Sequence, residues 1–228
     1  MSRAYRAEMD ALFDLAAHAG RSSLPLDIVA SLAVLSIAPF VLVLTTSFVR
    51  IVVVLSLVRS AIGATSLPPN TVLTGLALIL TFVIMSPTID RISREALEPY
   101  AHGKLTQSAF LTRAAEPLRA FMLRQTRRAD AALFARLARR APGENMASVP
   151  ATVLIPAFLV GELRNAFAIG VALYMPFVAI DLAVAAILMG LGMFMLSPPV
   201  ISLPCKLLLF VMVDGWALVC SGIVSSFR

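Results

Sequence analysis

The chain is 228 residues long, 59% hydrophobic and only 14% charged, with a formal net charge of +6, whereas a soluble domain of this size is about half apolar and about a quarter charged. So much apolar side chain needs lipid or very large partner surfaces, and the basic excess sits mostly in one middle segment between apolar regions, which points to a membrane surface or subunit contacts and away from nucleic acid. Two cysteines without a CxxC spacing and two isolated histidines leave no candidate metal site, and the thiols read as buried and free.

Residues 1–23 carry Arg3, Arg6, Glu8, Asp10, Asp14 and Arg21 and lack a continuous apolar core, so they do not read as a cleavable signal peptide. Tyr5, Met9, Leu12, Phe13 and Ala16 share one helical face, which predicts an amphipathic helix ended by Gly20. The first long apolar stretch, Leu24 to Val58, contains Asp27, Pro39 and Arg50. One span needs about 20 residues, so this stretch is too long for a straight helix, and a kink or break at Pro39 is expected. Gly63 can cap a helix and Pro68-Pro69 cannot continue one, so residues 59–70 form a tight connection to a second apolar stretch, Thr71 to Ile89. Residues 24–89 together predict an antiparallel helical hairpin.

Residues 90–149 differ in character. Arg119, Arg124, Arg127, Arg128, Arg136, Arg139 and Arg140 alternate with Leu118, Phe121, Met122, Phe134 and Leu137 at helical spacing. This predicts two or three amphipathic helices in a small polar domain, with Pro142-Gly143 at its exit. Residues 150–228 are apolar again, interrupted by Pro150, Pro156, Pro176, Pro198, Pro199 and Pro204. The expected layout is a helix near 151–175, a second near 177–196, a turn at Pro198-Pro199 and a third helix near 203–226. The fold class is therefore an all-α membrane protein, with broken helical hairpins and a small polar helical domain inserted between them.

Charge inside apolar stretches is the strongest local signal, because each such group costs roughly 2.5–3.5 kcal/mol on insertion scales unless it is paired or wet. Glu162, Asp181 and Lys206 are the candidates for buried pairing, with Lys206 joined to Glu162 or Asp181 in one chain or across a subunit boundary. Arg50, Arg59 and Asp214 read as snorkelling or capping groups. A second signal is Gly190-Leu-Gly-Met-Phe-Met-Leu-Ser-Pro-Pro199, which leaves Met193, Phe194 and Met195 at a helix end or loop. Methionine is flexible and polarizable and can re-pack around a passing object, although core packing is its ordinary use. Gly161, Asn165 and Ala168, and Ala179, Ala183 and Ala186, are small residues suited to close helix contacts. No His pair, GxSxG, P-loop or HExxH is present, so the chain does not read as an enzyme and no cofactor is called for.

Several stretches together resemble the FliP/SctR family of type III export gate subunits. Thr46-Ser-Phe-Val-Arg-Ile-Val-Val-Val-Leu-Ser-Leu-Val-Arg59, Pro68-Pro-Asn-Thr-Val-Leu-Thr-Gly-Leu-Ala77 and Phe82-Val-Ile-Met-Ser-Pro87 are similar to its first hairpin. Pro117-Leu-Arg-Ala-Phe-Met-Leu-Arg124 is similar to its middle domain, and Pro156-Ala-Phe-Leu-Val-Gly-Glu-Leu-Arg-Asn-Ala-Phe167 to its signature region. Met193-Phe-Met-Leu-Ser-Pro-Pro199 and Val213-Asp-Gly-Trp216 are similar to its C-terminal part. The resemblance spans residues 24–228.

It implies a multi-pass subunit of the bacterial inner membrane, in a flagellar basal body or injectisome base. Such a subunit forms a pentameric ring with FliQ- and FliR-like (or SctS- and SctT-like) proteins and works beside FlhA- and FlhB-like export components. It further implies a conical helical gate, largely above the membrane plane, through whose centre unfolded export substrates pass. A methionine-rich gasket loop would fall on Met193, Phe194 and Met195, and the family's charged hairpin positions on Glu162, Asp181 and Lys206. The sequence departs from the pattern in three ways. The middle gasket residue is Phe194 rather than methionine, Gly161 and Ala168 stand where polar residues are usual, and the signal peptide usual in flagellar members is not evident. Phe121-Met-Leu-Arg-Gln-Thr126 has a flagellar character and Leu196-Ser-Pro-Pro-Val-Ile-Ser-Leu-Pro204 an injectisome one; the flagellar reading is preferred. The positive-inside rule would keep residues 90–149 cytoplasmic, but the family places them in the periplasm, and a long folded segment translocates largely regardless of charge. An ion-coupled small-molecule transporter is the alternative, because broken helices with buried charge also occur there; no inverted repeat supports it.

Overall fold

Apolar residues recurring at three- and four-residue spacing form long helices, and the computed structural model, which describes residues 32, 36, 39–64, 67–140 and 146–227, contains helices and no strand among them. The chain divides into two units, Met1–Leu42 and Val43–Arg228, and the second carries everything that follows. The expected helix over residues 1–23 and the exit at Pro142-Gly143 lie outside the described residues.

Helix α1 spans Phe48–Ile62. The break that precedes it falls at Thr46 and Ser47 rather than at Pro39, which is itself helical. Thr46 Oγ1 accepts from the Phe48 N–H at 3.5 Å, a local bond that competes with helix propagation. Ile51, Val54, Leu55, Val58, Ala61 and Ile62 form the buried stripe of α1. Gly63 ends it in the left-handed conformation (φ 85°), its N–H bonded to the Ser60 carbonyl at 3.1 Å. Helix α2 runs Asn70–Ala101, α-helical to Ile92, π-helical over Ser93–Leu97 and α-helical again at Glu98–Ala101.

The middle segment supplies α3 (Gln107–Gln125), whose first turn Thr106 caps by accepting from the Ala109 N–H, and α4 (Arg128–Leu137). Phe121, Met122 and Ala135 of these helices pack with Met85 of α2 and with Val153, Leu154 and Phe158 at the start of the next helix. Leu118 and Phe134 sit at the edge of that cluster. Leu137, expected on the buried face, is exposed, because α4 ends at it and the chain turns away. Arg119 Nη2 donates to the carbonyls of Ala147 (2.7 Å) and Val149 (2.5 Å), tying α3 to the strap that enters α5.

Helix α5 is one continuous element, Ala151–Gly190, where two helices separated near Pro176 were expected. Proline removes one backbone bond, and an interrupted helix would expose several more polar groups to an apolar environment, so the helix carries on through Pro156 and Pro176. Its 40 residues reach about 60 Å, roughly twice the hydrocarbon thickness of a bilayer. Pro198 and Pro199 are likewise not a turn but the first residues of α6 (Pro198–Met212), where a fixed φ and a missing N–H suit helix entry.

The expected final helix is broken. α6 and α7 (Gly215–Ser225) meet at 65°, with Asp214 in the left-handed region at φ 49°, which aspartate tolerates better than most residues. A Cβ at Gly215 would strike the Phe210 ring, so glycine completes the bend. The main core joins α1, Leu73, Ala77 and Leu80 of α2, Ala166 and Phe177 of α5, Phe210 of α6 and Val219 and Ile223 of α7. Helices α1 and α5 approach closely at Gly170, where a Cβ would lie 3.1 Å from that of Leu57. Ala168, expected at such a contact, faces outward, as do Ala179, Ala183 and Ala186.

Candidate functional site

Helices α5 and α6 form a hairpin whose tip is the segment Leu191–Ser197. Gly192 adopts φ 73°, a conformation that favours glycine and turns the chain out of α5. The tip is bare: Phe194 is 79% and Met195 101% exposed, with Met193 less so. These are not core methionines. They are flexible apolar side chains projecting from a loop between two helices.

Below the tip, one ionic cluster staples the hairpin. Lys206 Nζ of α6 donates to Asp181 Oδ2 of α5 at 2.6 Å, and Ser202 Oγ donates to Asp181 Oδ1 at 2.5 Å. Ser202 and Lys206 lie one helical turn apart and therefore address the same carboxylate. Lys206 is 6% exposed and Ser202 fully buried, while Asp181 is partly open. Both carboxylate oxygens are thus occupied, as a charge in an apolar setting requires.

Glu162 takes a different partner. It is fully buried on α5 and forms a bidentate pair with Arg50 of α1: Nε donates to Oε2 at 2.9 Å and Nη2 to Oε1. The remaining Arg50 donors go to Gln125 Oε1 (3.2 Å) and to the Ser226 carbonyl and Oγ (3.1 Å each), and the Phe227 ring stacks on the guanidinium at 3.7 Å. Arg50 is therefore an interior group joining α1, α3, α5 and the residues after α7, and not the snorkelling side chain expected. Its five N–H donors and the planar fork explain why arginine rather than lysine stands there. Of the other two, Arg59 Nη1 donates to the Pro68 carbonyl (3.3 Å) and Asn70 Oδ1 (2.5 Å), at the start of α2. Asp214 holds the N-cap position of α7 without a side-chain cap bond.

A third pair fastens the middle segment to α5. Arg164 donates Nη1 to Asp130 Oδ2 at 2.8 Å and Nη2 to Oδ1 at 2.7 Å, and Arg127 Nη2 reaches Asn165 Oδ1 at 3.5 Å beside it. The Arg164 hydrogen bonds hold the Asp130 carboxyl below the ordinary carboxylate range, against the upward push of its burial. Sequence reasoning did not single out Asp130, Ser202, Gln125, Ser226 or Phe227. Ser202 was findable, one turn before Lys206; the others come together only through the fold. Cys205 is exposed rather than buried and Cys220 is half-buried, both free. Among the described residues no group of three or more His, Cys, Asp or Glu side chains could hold a metal ion.

Comparison with known proteins is informative once this arrangement is in view. The model of the FliP family matches residues 31–223. The flagellar biosynthetic protein FliP of Bacillus subtilis is 48% identical over 196 residues, covering 86% of this chain and 89% of that protein. Its namesake in Pectobacterium carotovorum is 49% identical over 193 residues, covering 85% of this chain and 75% of the relative. The Caulobacter vibrioides protein of the same name is 44% identical over 228 residues, the full length of this chain and 86% of the relative.

Proposed function

The chain belongs to the FliP family, and from that premise we propose that it is a membrane-embedded component of the flagellar export apparatus, serving as a structural subunit of the export pore. Several copies, with FliQ- and FliR-like proteins and alongside FlhA- and FlhB-like components, surround a conduit for unfolded flagellar substrates in the inner membrane. Among the described residues, two helices, Asn70–Ala101 and Ala151–Gly190, are long and apolar enough to cross a membrane, and the bent pair α6–α7 could supply another crossing. The observation that carries the pore reading is the bare Met193–Met195 tip on a hairpin stapled by Asp181, Ser202 and Lys206.

In this reading the gate is passive. The staple fixes the two limbs, so the loop between them projects at a set position. Around a ring, the Met193, Phe194 and Met195 side chains converge and exclude water and ions. When a substrate arrives, the methionines change rotamer at little cost and re-pack around it, while the ring of Phe194 adds bulk to the closed seal. Glu162, Asp181 and Lys206 keep the hairpins in shape for assembly. The middle segment faces the periplasm.

The test is ion leak. With the complex expressed in cells, Met193→Ala together with Met195→Ala raises membrane permeability to small ions while the subunit still co-purifies in a ring with its partners. An unchanged leak in an intact ring removes the gasket role. For orientation, Ser108→Cys is labelled by an impermeant thiol reagent from the periplasm; labelling only from the cytoplasm reverses the topology.

A further inference from the structure

A cavity of about 300 Å³ adjoins the Arg50 cluster, between α2, α3 and the end of α7. Its volume is at the lower bound of small-ligand pockets, about 300–1,000 Å³. Phe121, Val224 and Phe227 are among its apolar walls, and Thr88, Arg124 and Gln125 supply the polar ones. Gln125 is already committed, accepting from Arg50 at 3.2 Å and donating to the Phe227 carbonyl at 3.4 Å. Thr88 and Arg124 are not.

A threonine inside a helix can return its hydroxyl to the carbonyl four residues back, as Thr81 does to Ala77 and Thr126 to Met122, each at 2.7 Å. Thr88 is 4% exposed, yet its hydroxyl has no hydrogen-bond partner among the described residues. Its oxygen is not sealed off, as that of Ser47 is, and the cavity is the opening that Thr88 lines. A nearly buried hydroxyl left unpaired costs free energy, so a partner inside the cavity is called for. The side chain of Arg124 likewise has no acceptor and no carboxylate among the described residues. Arg119 of the same helix, in contrast, donates to two carbonyls. No acidic side chain lines the cavity. One uncompensated positive charge and one free hydroxyl therefore share a small space with apolar walls.

We infer that this cavity binds a small monocarboxylate with a compact aromatic or aliphatic body, its carboxylate held by Arg124 and Thr88. A guanidinium fork meets a carboxylate in two parallel hydrogen bonds, and a hydroxyl donates a further one. A single cation favours a single negative charge over the double charge of a phosphate monoester. The body rests against Phe121, Val224 and Phe227. Phe121 and Phe227 already stack on each other, with ring centroids 6.2 Å apart, so that end of the site is formed before anything enters.

The probe is para-fluorophenylacetate, titrated into the full chain in non-ionic detergent and read by fluorine NMR against protein-free micelles. Saturable binding near about 1 mM is expected for so few atoms. The neutral isostere, para-fluorophenylacetamide, should bind at least about tenfold more weakly, the size of a lost charge-assisted hydrogen bond. Arg124→Gln should cost the acid a similar factor, Arg124→Lys should keep part of the affinity, and Thr88→Val should cost about threefold. Arg128→Gln, at an exposed arginine outside the cavity, should change nothing. Absence of saturable binding, equal affinity for acid and amide, or equal losses in Arg124→Gln and Arg128→Gln overturns the inference. The acid–amide comparison uses the unaltered chain, so it decides the matter even where a variant fails to fold. Binding should also persist when the chain is extracted from membranes in its native complex. Binding by the isolated chain that vanishes there means that a neighbouring protein fills the cavity, and the inference of a free ligand falls.

Discussion

Removing the carboxylate from the Arg50–Glu162 pair should be the most damaging single change in the apolar core. In Glu162→Leu the guanidinium of Arg50, 1% exposed, loses the acceptors of Nε and of one Nη2 bond and stays charged and buried. Breaking one partner of a buried pair costs about 3–5 kcal/mol, far more than the net worth of the intact pair. For a chain of this size each kcal/mol moves the thermal midpoint by about 2–4 °C, so a fall of about 6–20 °C is expected. The double variant Glu162→Leu with Arg50→Met removes both charges. It still leaves Gln125 and Ser226 without their donor and Phe227 without its cation, so it should remain about 1–3 kcal/mol below the wild type. The assay is thermal unfolding in detergent followed by Trp216 fluorescence, read as a double-mutant cycle. A single variant melting within about 2 °C of the wild type, or a double variant melting below Glu162→Leu, would refute the reasoning, because the charge would then not be sealed inside.

Three further outcomes are expected. Lys206→Ala leaves Asp181 with Ser202 as its one partner in the hairpin and should lower recovery of the assembled ring and of motility; unchanged assembly and activity would show that the staple is dispensable. Asp130 has a folded pKa below its ordinary value, so its pair with Arg164 stabilises the packing of α4 on α5 at neutral pH and loses that contribution as pH falls from about 4 through the folded pKa. Limited proteolysis of residues 107–137 should therefore accelerate on acidification in the wild type, and Asp130→Asn should show fast cleavage already at neutral pH with the acid dependence flattened. Gly170→Ala drives a methyl into Leu57 and should cost about 1–3 kcal/mol by overpacking, with Leu57→Ala restoring most of the lost thermal stability; no rescue would mean that the helices part freely there.

How much of this was legible beforehand differs by element. Charge within apolar runs singled out Glu162, Asp181 and Lys206, because the cost of burying them is a property of the residue type; Glu162 and Lys206 are interior, while Asp181 is paired but partly open. Their partners were not announced. Arg50 and Glu162 are 112 positions apart and meet only because α1 packs along α5. Gly63 as a helix end and the amphipathic helices of the middle segment followed from local chemistry. The prolines misled, since the expectation that Pro176 divides a helix and that Pro198-Pro199 forms a turn is drawn from water, where freed carbonyls find hydrogen bonds. The bend at Asp214 went unseen because it depends on a left-handed aspartate and on the Phe210 ring pressed against Gly215.

The pairing pattern also bears on what would drive the proposed assembly. Had Lys206 or Glu162 been left unmatched, a neighbouring copy would have been needed to neutralise it, and subunit contacts would be partly ionic. Instead the charges singled out inside the apolar hairpins, Arg50, Glu162, Asp181 and Lys206, are paired within one chain. Much of what remains outside is apolar: Phe167, Val171 and Met175 along one side of α5, Leu208, Val211 and Met212 on α6, and the tip at Phe194 and Met195, with Arg164 and Asp214 the charged exceptions on these helices. Contacts made from such surface depend on shape and on apolar area removed from solvent or lipid, and screening by salt scarcely touches them. The buried ions act one step earlier, by fixing the crossing of α1 on α5 and the spacing of α5 and α6, so that the neutral faces are presented in one geometry. A variant that breaks a pair is then expected to spoil assembly by deforming the chain rather than by deleting a bond between subunits.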